Sequence, residues 1–193
     1  MDSFFKNVKD SKYLNEKQNT FENINIVLEG NYFDRASFLL RLKYKDYNEY
    51  NKYLSAINNN MGLNFLLDYT QLILNYRYIN IKIIIRNTAG SDYGYFLYKE
   101  ADFIFFFYDP FFQYCLDRIK RRLDLCDERY KRNLIFVLIR CSYDIDGKID
   151  ISDEEALEFA DKNNMLFFHL SLHEKNETGI KELFEIRSSW DYS

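Results

Sequence analysis

The first residues with the types and spacing for chemistry follow an early apolar segment, where the sequence reads GNYFDRAS from Gly30 to Ser37. A glycine that ends a strand and a hydroxyl that begins a helix are typical of the phosphate-binding motif GxxxxGK[ST], whose hydroxyl binds Mg²⁺. Arg35 and Ala36 stand where the motif has its second glycine and its lysine. Arg35 could supply the lost charge, or it could be a solvated residue at a helix start. The helix dipole would also favour another anion beside Gly30.

A second candidate is a group of acids, Asp144, Asp146, Asp150 and Asp153, which could suggest a calcium site. Gly147 follows Asp146 directly, so the spacing of an EF-hand loop is not met. We interpret these residues as loop acids that precede a helix. Serine and glutamate in the following stretch ISDEEALEFAD have the spacing of a capping box, which predicts where that helix begins.

Composition restricts the class of protein. The chain has 193 residues, which is typical of one domain. Its net charge of −4 argues against nucleic acid as a partner, and its three cysteines lack the spacing of a zinc site. Such cysteine usage favours a reducing cytoplasm. No signal peptide or apolar membrane span is visible, and six glycines leave few places for a close backbone approach to phosphate.

The elements that position these residues alternate between strands and helices, which predicts a mostly parallel sheet with ligands at the carboxyl ends of its strands. Polar residues 1–22 are interpreted as a loose N-terminal arm. A helix is expected to open at Pro110 and run to about Tyr130. Its basic residues Arg118 to Arg122 are interpreted as a solvated face, the alternative being contact with an acidic partner or anionic lipid. The predicted strands are Ile24–Leu28, Leu63–Leu74, Ile79–Ile85, Phe103–Tyr108, Leu134–Ile139 and Met165–Leu170, and the other predicted helices begin at Ala36, Ser152 and Ile180.

Several segments resemble the small GTPases of the Ras-like superfamily. Asn87-Thr88-Ala89-Gly90 after a strand resembles the DTAG motif. Three more segments resemble the Rab branch: Met61–Phe65 resembles its IGVDF segment, Tyr98–Asp102 resembles its YRGAD segment, and Glu154–Asp161 is close to its wording. The resemblance implies one P-loop Ras-like G domain over residues 23–190, with a tail at 191–193. It implies an α/β fold whose six-stranded, mostly parallel sheet carries helices on both faces.

The same resemblance implies which residues would hold GTP or GDP with Mg²⁺: Gly30, Arg35, Ser37, Gly90, Asp144 and Ser171. Ser37 matches the metal-binding hydroxyl, but Asn87 replaces the aspartate that holds the metal. Ser91 replaces the glutamine that positions water. Asp144 is the retained acid of the guanine motif NKxD, whereas Cys141 and Ser142 replace its asparagine and lysine.

Together these replacements predict a Rab-like protein with a degraded nucleotide pocket. We expect it to act as a protein-binding regulatory module with protein effectors or regulators, by family analogy in vesicle traffic. We expect weak or absent guanine-nucleotide binding, no GTP hydrolysis and no prenyl anchor, since the C-terminal residues WDYS contain no cysteine. The alternative is a functional GTP-binding switch with slow GTPase activity, in which Arg35 replaces the lysine.

Overall fold

The computed structural model describes residues 21–44, 46–58, 69–76, 79–88, 94–126, 131, 134–141, 149–172, 179–180 and 183. The predictions for residues 1–20 of the arm, for Met61–Phe65, Gly90, Ser91, Ser142 and Asp144, and for the C-terminal tail lie outside these residues. Residues 21 and 22, predicted to belong to the arm, begin the first strand instead. Among the described helices, none is long and apolar enough to cross a membrane.

Six strands form one sheet in the order β2-β3-β1-β4-β5-β6. All neighbouring pairs are parallel except β2 and β3, which run antiparallel at one edge. The expected α/β fold with a mostly parallel sheet is therefore confirmed. The strands are β1 (Phe21–Gly30), β2 (Tyr69–Tyr76), β3 (Ile79–Asn87), β4 (Phe103–Tyr108), β5 (Ile135–Cys141) and β6 (Met165–Leu170).

Helices cover both faces of the sheet. The helices are α1 (Tyr32–Lys43), α2 (Tyr47–Asn58), a 3-10 helix (Gly94–Glu100), α3 (Cys115–Leu125) and α4 (Asp153–Lys162). Apolar residues of α1 and α2 pack on one face, and those of α3 and α4 pack on the other. Ser152 caps α4 as the capping box predicts, because its Oγ accepts a hydrogen bond of 3.2 Å from the Glu155 N–H.

The central strand β4 shows why its sequence FIFFFY is continuously apolar. Every residue of β4 is buried. Phe105 and Phe107 contact the α1 side, where the ring of Phe38 lies 6.2 and 5.5 Å from theirs, whereas Ile104 and Phe106 pack under α3 and α4. A parallel strand with helices on both faces needs apolar side chains at every position.

Two predicted helix starts are wrong. The helix expected at Pro110 begins at Cys115, and Pro110 itself lies in a turn. The carbonyl of Pro110 accepts hydrogen bonds from the N–H groups of Asp150 and Ile151 at 2.9 and 3.0 Å. That carbonyl is thereby used by a distant segment instead of a helix. The helix expected at Ala36 begins four residues earlier, at Tyr32, directly after the single connecting residue Asn31.

Candidate functional site

The candidate site lies where the carboxyl ends of neighbouring strands meet. β1 ends at Gly30 and lies between the parallel strands β3, which ends at Asn87, and β4, which ends at Tyr108. Ligands of open α/β sheets bind at this edge. The Thr88 N–H donates to the Leu28 carbonyl at 3.3 Å, so the segment after β3 stays attached to β1. Residues from sequence-distant segments are thus brought together beside the start of α1.

An additional helical turn stands where the phosphate-binding loop is expected. Asn31 is the N-cap of α1, and its Oδ1 accepts from the Asp34 N–H at 3.1 Å. Its carbonyl accepts from the Arg35 N–H at 3.2 Å. A phosphate cradle needs successive N–H groups that point at the anion from an open loop. Here the N–H groups of residues 34 and 35 donate within the helix and its cap.

Gly30 serves the contact between two strands. It adopts a φ of +94°, and a Cβ placed there would lie 2.0 Å from the carbonyl oxygen of Phe107. The next N–H, that of Asn31, donates to the same oxygen at 2.7 Å. A residue other than glycine would force β1 and β4 apart. The glycine therefore has a structural reason that involves no ligand.

Arg35 is not solvated, and that expectation is wrong. Its side chain is 1 % exposed, and its guanidinium donates to the Oδ1 of Asn87. The Thr88 Oγ1 lies 3.5 Å from the same nitrogen, and the Arg35 Nε donates to the Asn31 carbonyl at 3.3 Å. The helix start brings Arg35 over the end of β3, so that its positive charge bridges α1 and β3.

Ser37, the candidate metal ligand, is fully buried on the side of α1 that faces α2. Its hydroxyl lies beside the phenol of Tyr50, whose pKa burial raises to about 12 against a smaller lowering by this hydroxyl. Among the residues that the structure describes, no group of three potential metal-ligating side chains is found. The structure therefore places Ser37 next to a tyrosine of the core.

An open cleft of about 540 Å³ lies beside Arg35. It is bounded by the ends of β1 and β4, the start of α1, the turn before α3, and α3 itself. The cleft contains Gly30 and Arg35 of the predicted site, but neither Ser37 nor Ser171. Its charged lining residues are Glu29, Arg35, Asp109, Arg118 and Arg122, and its aromatic ones are Tyr32, Phe106, Phe107 and Phe112.

Comparison with known protein families agrees with the α/β topology of the sheet. The family model of the Ras family matches residues 37–188, which is most of the chain. The chain belongs to the Ras family. A comparison with curated proteins found no match. In this Ras-family protein the matched range begins at Ser37, directly after the residues 30–36 that form the end of β1 and the additional turn of α1.

The guanine side of this Ras-family domain has two predicted positions among the described residues. Cys141 ends β5 and Ser171 follows β6, and both are buried. The thiol of Cys141 lies beside the carboxyl of Asp34, and burial together with this carboxyl raises its pKa. Asp34 belongs to the same additional turn of α1 as Arg35. The start of α1 thus makes polar contacts with β3 on one side and β5 on the other.

Glu29 was missed by the sequence-based prediction. It is the second-last residue of β1 and is 3 % exposed. Its carboxylate accepts a hydrogen bond of 2.9 Å from the Tyr98 hydroxyl. Burial raises its pKa, against smaller lowering effects of Tyr98, Arg122 and Arg35. An acid inside the apolar run INIVLEG was the available signal, since buried carboxylates need partners.

Proposed function

We propose that this Ras-family chain is a Rab-like pseudo-GTPase, a protein-binding regulatory module that binds guanine nucleotide weakly or not at all and does not hydrolyse GTP. The observation that carries the proposal is the position of Arg35. Its buried guanidinium bonds to Asn87, which stands where the family resemblance implies the metal-holding aspartate, and it lies within reach of Thr88. A cation of the protein itself thus occupies the junction of β1, α1 and β3.

The backbone supports the same proposal. The N–H groups of Asp34 and Arg35 already have acceptors in Asn31, and each would have to break its bond to reach a phosphate. A hydrogen bond to a charged group contributes about 1.5–3 kcal/mol, so losing several such bonds, together with the lysine replaced by Ala36, removes much of the affinity for phosphate.

The chemistry of the metal position also supports it. Mg²⁺ is bound in proteins by carboxylates, water and substrate phosphates. Asn87 presents a neutral amide, and its oxygen accepts from Arg35. Ser37 lies beside Tyr50 on the other side of α1. Neither Asn87 nor Ser37 therefore supplies a carboxylate to a metal at this position.

The regulatory role and the Rab branch are inferred from the segments Tyr98–Asp102 and Glu154–Asp161, both of which serve the packing of this chain. Tyr98 is buried against Glu29. Residues 154–161 form most of α4, whose Ala156 and Ala160 pack under the sheet. Preservation of packing residues beside replaced pocket residues is what a protein-binding domain without nucleotide chemistry requires. By family analogy, vesicle traffic is the proposed setting.

The test measures nucleotide in the native protein. The full chain is purified without added nucleotide, denatured, and its supernatant is resolved on a nucleotide-separating column. We expect no GDP or GTP. A stoichiometric amount of either would overturn the proposal and support a functional switch.

A second measurement covers weak binding. A ligand present at 100 times its Kd stabilises the folded state by about 2.7 kcal/mol. We expect no change in the melting temperature with millimolar GTP or GDP and Mg²⁺. A rise that is abolished by Arg35→Ala would instead identify Arg35 as a replacement for the phosphate-binding lysine, and it would support the functional GTP-binding switch.

A further inference from the structure

The mouth of the cleft beside α3 carries two exposed aromatic rings. Phe112 is 47 % exposed and Tyr114 is 60 % exposed, and their centroids lie 6.1 Å apart in an edge-to-face arrangement. Aromatic residues and arginine are enriched in the cores of protein–protein interfaces. Two large rings that stand in water beside a cleft are therefore a candidate contact surface.

The turn that presents these rings is held in place by Asp109. Its Oδ1 accepts from the Phe111 N–H at 2.9 Å, and its carbonyl accepts from the Phe112 N–H and the Cys115 Sγ at 3.2 Å each. The other carboxylate oxygen accepts from the Asn31 side chain at 3.3 Å. A loop that is ordered before binding loses less entropy when a partner docks.

Charge selects the kind of partner. Arg118 on α3 lines the cleft and is exposed, and among the described residues it has no ion pair or hydrogen-bonded acid. The acids of the cleft are already compensated, since Asp109 is bonded to the turn and to Asn31, and Glu29 to Tyr98 with Arg122 nearby. Arg118 therefore offers a guanidinium that can bind a carboxylate through two parallel hydrogen bonds.

Deepening the proposed function, on which this inference rests, we propose that the cleft between α1 and α3 binds an acidic peptide segment of a partner protein. A carboxylate of the peptide contacts Arg118, and a neighbouring aromatic or large aliphatic side chain packs against Phe112 and enters the cleft. The volume of about 540 Å³ lies within the range of about 300–1,000 Å³ of typical ligand sites. The basic residues of α3 also stand out from a chain whose net charge is −4, so an acidic segment would be attracted to this face.

The experiment begins with phage-displayed random peptides of about 12 residues, selected on the immobilised full chain, because hot spots are typically a handful of side chains. We expect enrichment of peptides with Asp or Glu close to an aromatic or large aliphatic residue. An enriched peptide is then synthesised, labelled, and titrated with the full chain by fluorescence anisotropy. Enrichment of basic or purely apolar peptides, or no enrichment, would overturn the proposal.

Variants locate the binding. Arg118→Glu and Phe112→Ser are each expected to reduce the affinity for the peptide by about tenfold or more, as truncation of central interface residues does. The matched control is Arg121→Glu, which makes the same charge change three residues further along α3, at a residue that does not line the cleft. We expect less than about threefold from it at physiological salt, because exposed charges are screened. Circular dichroism checks that all three variants are folded.

Four further results would contradict the proposal. Arg118→Glu could leave the affinity unchanged, or Arg121→Glu could reduce it equally, which would indicate attraction without a site. Displacement of the peptide by about 10 mM inorganic phosphate would indicate a small-anion site instead. Displacement by phosphatidylserine vesicles would indicate a membrane surface. Bound GDP in the native chain would overturn the pseudo-GTPase proposal without changing the effect of Arg118→Glu, so the two failures are distinguishable.

Discussion

The guanidinium of Arg35 donates a hydrogen bond to the side-chain oxygen of Asn87, which joins residues 52 positions apart in the sequence. Both residues are buried. Arg35 lies in the first turn of α1 where the Ras-like resemblance implies a glycine of the phosphate loop, and Asn87 ends β3 where it implies an acid that holds a metal. The two replacements are therefore partners in one contact, which favours a structural role for both.

This contact predicts a large cost for losing the guanidinium. Arg35→Met keeps much of the apolar stem but leaves the Asn87 oxygen without its donor and removes one of the two positive charges near Glu29. We expect the free energy of unfolding to fall by about 2–4 kcal/mol, which urea denaturation measures. Arg118→Met on exposed α3 is the control and should change it by less than about 0.5 kcal/mol. Equal effects of both variants would contradict a role for the Arg35 contact.

The close approach of β1 and β4 predicts that Gly30 tolerates no side chain. Gly30→Ala places a Cβ against the Phe107 carbonyl in a backbone conformation with φ of +94°. Strain at such a φ costs about 1–3 kcal/mol before the clash is added, so we expect little soluble folded protein or a strongly lowered melting temperature. Asn23→Ala, at an exposed position of the same strand, should retain the yield and melting temperature. A normal melting temperature for Gly30→Ala would show that β4 can move.

The raised pKa of Glu29 predicts a pH dependence of stability. Because burial raises this pKa above its ordinary value of 4.5, the folded chain holds more protons than the unfolded chain just above pH 4.5. The contribution of Glu29 to the free energy of unfolding therefore falls as the pH rises through that range. Glu29→Gln still accepts from Tyr98 and removes this titration. The free energy of unfolding of Glu29→Gln minus that of the native sequence should therefore increase as the pH rises from 4.5 to 7.5, which urea denaturation measures.

The control for this comparison is Glu154→Gln, which removes an exposed carboxylate of α4. Its stability relative to the native sequence should change much less over the same range than that of Glu29→Gln. If the two variants give the same pH profile, the titration of Glu29 does not contribute as proposed.

The N-cap of α4 predicts a moderate, local effect. Ser152→Ala removes the oxygen that accepts from the Glu155 N–H, and such substitutions cost about 1 kcal/mol. Ser55→Ala is the matched serine control, because the Ser55 hydroxyl donates back to the Asn51 carbonyl inside α2 instead of capping a helix. Alanine is the better helix former there, so we expect no loss of stability. The denaturant midpoint of Ser152→Ala should therefore be lower than that of Ser55→Ala. A lower midpoint for Ser55→Ala would contradict the capping role of Ser152.

The sequence by itself determined the class of fold and the positions of several of its strands. β4 and β6 begin and end at the predicted residues, because continuous apolar runs of this length suit strands that are buried on both faces. The capping box at Ser152 is local chemistry between residues three positions apart, and it is confirmed. The family was also visible in short segments whose order along the chain is preserved, and the Ras family match bears it out.

Tertiary structure alone decided the state of the candidate site. Nothing near Arg35 in the sequence shows that it is buried, because its partner Asn87 arrives from β3 only when β1 and β3 pair. The true start of α3 likewise depends on Pro110 accepting hydrogen bonds from residues 150 and 151. The cleft itself joins β1, β4 and α3, which are far apart in the chain. Local patterns determine which segments form strands and helices, whereas contacts between strand ends depend on the order of the strands in the folded sheet.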